Sequence, residues 1–150
     1  EIKMISLESY MSPQKTPYLL GWMGLFPFGI AAIITHSKIE SLEYYGFLGG
    51  TGYGAIILSF LGAVHWGIAM QNNLSSRWYA WSITPALFGM ATLLTLNFQL
   101  RIIALIPLFI LVWLVDYLAL RKSLIPAWYF RLRSALTTGA LLSLTIMLTA

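Results

Sequence analysis

The sequence predicts an all-α fold, a polytopic membrane helix bundle of about five transmembrane helices with its N-terminus in the cytoplasm. Three observations predict it: long apolar runs recur along the chain, its basic residues lie in or beside the stretches between those runs, and one run repeats small residues at helical spacing. Of the 150 residues, 59% are hydrophobic and 9% charged, whereas a water-soluble domain carries roughly 25% charged residues to cover its surface. A chain this short has too little interior to hide so much apolar material. Hydrocarbon is therefore its solvent. The length suits one integral membrane domain over 1–150.

A helix crossing about 30 Å of hydrocarbon needs roughly 20 apolar residues. The first stretch to meet that demand covers about 17–35, with Pro17 after Thr16 as a good helix start. The second covers about 47–70, the third 78–97, the fourth 102–120 and the fifth, richest in Ser and Thr, 133–150. Pro27, Pro85 and Pro107 fall inside spans, where they are expected to kink the helices rather than break them. The first apolar run lies behind Glu1, Lys3, Glu8 and Lys15 and is followed by no small-residue cleavage motif, so no cleavable signal peptide is expected.

Basic residues orient the bundle. Lys3, Lys15, Arg77, Arg121, Lys122, Arg131 and Arg133 fall on one side, and only Lys38 and Arg101 on the other. That bias places the N-terminus in the cytoplasm. Trp66, Trp78, Tyr79, Trp81, Trp128 and Tyr129 cluster near the basic face, where amphipathic rings favour the headgroup region.

The second span holds two small-residue rows, Thr51, Ala55, Ser59, Ala63 and Gly67 beside Gly50, Gly54 and Gly62. Helices in lipid associate by close packing, which small side chains permit. Gly54, Ala55, Ser59, Gly62, Ala63 and Gly67 are thus the expected packing residues, with Ala135, Gly139 and Ser143 of the fifth span as a partner face. Internal packing and a homodimer interface both fit these rows.

Two ionisable residues matter inside the spans. His65 stands five positions before Met70 and Asp116 five before Arg121, which puts both roughly 7 Å inside the basic boundary at 1.5 Å per residue. A carboxylate at that depth needs protein, water or a cation beside it, so Asp116 is expected to turn inward and pair with His65, Arg131 or Arg133. Arg121 is badly spaced for a same-face pair on the same helix. His65, Asp116, Arg131, Arg133 and Trp66 make up the candidate polar site. It fits a proton relay or ligand site, and equally a structural cluster tying the helices together.

Other chemistries fare worse. The two histidines, His36 and His65, belong to opposite faces, which argues against a metal or haem held by both. No His–Ser–acid set converges, so no catalytic residue is named and no enzyme expected. Cysteine is absent, which removes disulfides and thiolate sites. The net charge of +4 has no folded aqueous surface to sit on, so nucleic acid is not an expected partner. No cofactor is expected. The tract Lys122 to Arg133 (KSLIPAWYFRLR) reads as a loop anchoring the headgroup region, with Arg121, Lys122, Arg131 and Arg133 available to anionic lipid.

The run YGAIILSFLGAVHWG, Tyr53 to Gly67, resembles the signature of a domain-of-unknown-function family of small multi-pass membrane proteins that includes mitochondrial transmembrane protein sixty-nine. SITPALFG, Ser82 to Gly89, and PAWYFRLRSALT, Pro126 to Thr137, are similar to further stretches of that family. The resemblance implies a multi-pass bacterial or mitochondrial inner-membrane protein and brings no activity with it. The expected function is therefore a non-enzymatic accessory or assembly partner of larger membrane complexes. The alternative is a small transporter, channel or lipid- or quinone-binding protein using a His65–Asp116 polar site near the cytoplasmic face.

Overall fold

A computed structural model describes residues 15–150, so Lys3, counted above among the orienting residues, lies outside the described residues. The chain forms helices α1 (Lys15–Met23), α2 (Phe26–Ile34), α3 (Glu40–Gln71), α4 (Ser76–Leu93), α5 (Phe98–Arg121) and α6 (Ala127–Met147), with no strand among the described residues. Helices α1 and α2 together make the first span, and the bundle has five membrane helices. Lys15–Ile34, Glu40–Gln71 and Phe98–Arg121 are each long and apolar enough to cross a membrane. Helices α4 and α6 are less apolar, but they hide their hydroxyls: Ser82, Thr84, Ser134, Thr138 and Thr145 all donate to backbone carbonyls one turn back.

Two expectations about local structure are corrected. Pro27 does not kink the first span but follows a break, standing in the first turn of α2 after the turn residues Gly24 and Leu25. Proline has no N–H to give the Met23 carbonyl, and its ring crowds that carbonyl, so the ladder stops there. Pro85 and Pro107, by contrast, lie inside continuous helices. The tract Lys122 to Arg133 is a loop only as far as Pro126, because α6 starts at Ala127 and carries Arg131 and Arg133 on helical faces.

Helix α3 is the centre. It packs against α2, α4 and α5, while α6 packs against α5, α2 and α1. The outer helices each bury one stripe, such as Ile102, Leu105, Phe109, Val112 and Asp116 on α5. The opposite face of α5 stays apolar and exposed, as at Ile103, Ile110, Leu114 and Leu118, the pattern of a helix bathed in lipid.

The small-residue rows of α3 are only partly packing surfaces. Gly50, Thr51, Gly54, Ala55 and Gly62 are buried, whereas Ser59, Ala63 and Gly67 are exposed. Four residues overshoot one helical turn by about 40°, so the four steps from Thr51 to Gly67 carry a straight row about 160° round the helix. The buried stripe therefore meets a new neighbour at each level. A Cβ on Gly50 would meet Met147 and Ala31, one on Gly54 would touch Leu105, and one on Gly62 would run into the Ser82 carbonyl oxygen. The partner face expected on the last helix is also reassigned: Ala135 is exposed, and Gly139 is covered by Leu25 from the broken first span rather than by α3.

Two similar turns close the basic end. Asn73 and Ser123 adopt positive φ angles of 47° and 55°, and the next amides, of Leu74 and Leu124, donate to the carbonyls of Ala69 and Ala119. These are helix stops in which one left-handed residue satisfies the last carbonyls. Leu74 and Leu124 then fold over Ile68 and Ala119 in a small apolar cluster with Trp78, Ile125 and Phe130. That cluster fixes the ends of α3 and α5 and the starts of α4 and α6 at one level.

Candidate functional site

Just inside that cluster lies a polar layer. From the basic end, His65 is six residues from Gln71, Asp116 five from Arg121, Trp81 five from Ser76 and Arg133 six from Ala127 (71−65, 121−116, 81−76, 133−127). Four helices thus bring four polar side chains to one depth, roughly 7–9 Å below the helix ends.

The layer is a hydrogen-bonded chain. The Trp81 indole donates to His65 Nδ1 at 3.1 Å. An indole N–H only donates, so Nδ1 accepts and the ring proton sits on Nε2, which donates to Asp116 Oδ1 at 2.9 Å. Arg133 Nε donates to the other carboxylate oxygen, Oδ2, at 3.0 Å. His65, Asp116 and Arg133 are all buried. One carboxylate balances one guanidinium, the arrangement that makes a charge tolerable at membrane depth.

Of the five sequence candidates, the structure brings together His65, Asp116 and Arg133 and leaves out Trp66 and Arg131. Trp66 is 43% exposed, its indole directed to Met70 Sδ at 3.1 Å on its own helix, and Arg131 is exposed. Helical phase explains both: one residue turns the side chain about 100° and two turn it about 200°. Arg133 in turn is withdrawn from the headgroup-facing set, since it is buried against Asp116, while Arg121, Lys122 and Arg131 stay exposed. Trp81 was not among the candidates. It was findable, because four residues (72–75) separate α3 from α4 and an antiparallel hairpin puts Trp81 level with His65. His36 is far from the layer, at 3.3 Å from Thr149 beyond the other end of α6. Among the described residues no group of three His, Asp or Glu side chains could hold a metal ion.

Of the Arg133 nitrogens only Nε is hydrogen-bonded among the described residues, and there Nη2 is buried without a partner, as is Thr137 Oγ1 one turn further along α6. Arg133 also lines a cleft of about 570 Å³ between the broken first span, α3, α5 and α6. Its walls are mainly apolar, including Gly21, Leu25, Phe28, Ile57, Leu61, Phe109 and Leu136, with Tyr129 beside Arg133. Leu20 and Phe60, which are 61% and 63% exposed, line it as well and stand at its membrane-facing rim. The break in the first span shapes this wall: Gly24 lines the cleft, and its free carbonyl accepts from the Tyr53 hydroxyl at 2.9 Å. Irregular backbone at membrane depth is tolerated where protein or a cavity receives it.

Residues 13–149 match the model of a family described as protein of unknown function, DUF3429. The chain is also 33% identical over 134 residues to transmembrane protein 69 of Xenopus tropicalis, an alignment covering 87% of this chain and 52% of that protein. It thus spans about half the length of the curated relative it matches. No solved structure matches it. The family match takes in nearly all of the chain, which belongs to the DUF3429 family.

Proposed function

We propose that this DUF3429 membrane protein is a non-enzymatic binding protein of an inner membrane, holding a long-chain, lipid-like molecule in the cleft beside Arg133. The observation that carries the reading is a mainly apolar cleft of about 570 Å³ lined by Arg133, a buried side chain whose Nη2 has no hydrogen-bond partner among the described residues. Ligand sites combine apolar walls with a few convergent polar groups, and an exposed rim of Leu20 and Phe60 gives access from the bilayer. The cleft favours this reading over that of an accessory partner for larger complexes, which needs no internal cavity.

The polar layer supports binding rather than proton transfer. Both nitrogens of His65 and both oxygens of Asp116 are engaged within the protein, so a relay through His65 would first break its bond to Trp81. In this reading His65, Asp116 and Trp81 hold Arg133 still, and Arg133 meets the ligand. The basic end, with Lys15, Arg77, Arg121, Lys122 and Arg131, lies in the cytoplasm, where those exposed cations attract anionic headgroups.

The test is retention. Protein extracted in mild detergent, washed and then dissolved in organic solvent is expected to release one dominant lipid-like species near one per chain by mass spectrometry. Ile57→Trp, which fills the cleft from its α3 wall, is expected to lose that species while keeping its helical circular dichroism. Equal retention by the folded variant, or no retained species in the wild type, would contradict the proposal.

A further inference from the structure

The polar end of the cleft is specific about charge. Arg133 supplies a cation, but Asp116 already answers it at 3.0 Å, and among the described residues no second Lys, Arg or His lines the cleft. What the cleft offers a ligand is therefore hydrogen-bond donors without net positive charge. One is the buried, unpartnered Nη2 of Arg133. Others are the hydroxyls of Tyr129, four residues earlier on the same face of α6, and of Thr16 on the first span, both residues that line the cleft.

We infer that the ligand carries an uncharged carbonyl oxygen as its polar end, which accepts a hydrogen bond from Arg133 Nη2, with its chain lying along the apolar wall of α6. This inference rests on the proposed binding role of the cleft and names the chemistry it selects. A carbonyl satisfies the orphan donor and leaves the Arg133–Asp116 charge balance intact. A phosphate would bring uncompensated negative charge to membrane depth beside Asp116, where an unmatched charge is costly. Depth agrees, because Arg133 lies six residues into α6, roughly 9 Å below its start, beneath the layer where Arg121, Lys122 and Arg131 would meet phosphates. Length agrees too: from Tyr129 to Ala140, both lining the cleft, α6 advances eleven residues (140−129), about 16 Å, enough for an extended alkyl chain. Two membrane sources share this chemistry, a quinone ring and the ester of a neutral glycerolipid.

Three probes with ten-carbon tails separate the alternatives: decylubiquinone, monodecanoin and decyl phosphate, each titrated against delipidated full-length protein and read by the rise in Tm. At least one carbonyl probe is expected to reach half-saturation at a concentration tenfold or more below that of decyl phosphate, and the stronger of the two identifies the source. Arg133→Lys keeps a cation for Asp116 but lacks the fork that leaves Nη2 free, and it is expected to weaken the carbonyl probes about tenfold while decyl phosphate changes little. Decyl phosphate binding as tightly as the carbonyl probes would overturn the inference in favour of an anionic head. Carbonyl probes that bind wild type and Arg133→Lys alike would overturn the role of Arg133 and leave the cleft standing. If none of the probes binds wild type, the inference and the binding role fall together. Should Arg133→Lys not fold, the ranking of the probes on wild type decides alone.

Discussion

The two flanks of α3 solve the same packing problem in opposite ways. Toward α4 the helices meet backbone to backbone: Gly62 lies against the Ser82 carbonyl, and Gly89 of α4 lies against the Ala55 backbone. Toward the first span, Gly46 and Gly50 pack closely on Thr35 and Ala31 at the far end, but at the level of the break Tyr53, Ile57, Phe60 and Leu61 face Gly24 and Leu25, and a cleft of about 570 Å³ remains. Small residues bring backbones together and leave no room, whereas large side chains against an interrupted helix hold the neighbours apart. The polar layer joins the flanks, with Trp81 at its closed end and Arg133 at its open one. In the proposed role one flank stabilises and the other binds.

The largest expected effect breaks the link between them. Asp116→Ala leaves the Arg133 charge buried and unpaired, and is expected to cost about 3–5 kcal/mol in reversible unfolding. Adding Arg133→Met removes the stranded cation and is expected to recover most of that loss, although the double variant should no longer bind ligand. Next comes the closed flank. Gly62→Val forces a side chain into the Ser82 backbone, for an expected loss of about 3 kcal/mol, seen as a fall in Tm and in monodisperse yield. Gly29→Ala, where an added Cβ meets nothing within 4 Å, is the matched control and should change stability by less than about 1 kcal/mol. Equal effects of the two would erase the contrast drawn here.

Trp81→Phe keeps an aromatic ring but removes the donor to His65 Nδ1 together with part of the indole's bulk, which a double-mutant cycle separates. Hydrogen bonds between membrane helices are worth about 0.6 kcal/mol on average and up to about 1.7, and the same range is expected for this variant in a double-mutant cycle with His65. At the open rim, Phe60→Ala should alter stability least, within about 0.5 kcal/mol for an exposed position, yet speed the loss of bound lipid during detergent washing. A stability loss there as large as that of Gly62→Val would mean the rim is packing surface.

Much of this contrast was legible in the sequence, and the rest was not for identifiable reasons. Apolar length gave the spans, and residue counts from the basic end put His65 and Asp116 at one depth, because rise per residue is nearly constant. Rotation about the axis was harder. Choosing Arg133 over Arg131, or Trp81 over Trp66, requires the phase of each helix relative to its neighbours, and the row from Thr51 to Gly67 misled because a four-residue repeat drifts round the helix. Pro27 signalled a disturbance, but whether a proline kinks or interrupts depends on what receives the freed Met23 carbonyl and its neighbours. The cleft was out of reach of any local pattern: it exists only where Gly21, Ile57, Phe109 and Leu136, from four separate helices, fail to meet.

The most direct measurement is a density map of the protein in nanodiscs formed straight from its native membrane, with no delipidating wash. The account predicts elongated density in the cleft between α1, α3 and α6, its polar end within hydrogen-bond distance of Arg133 Nη2 and the Trp81–His65–Asp116–Arg133 chain unbroken. A cleft closed by its own side chains, with Nη2 bonded inside the protein, would contradict it.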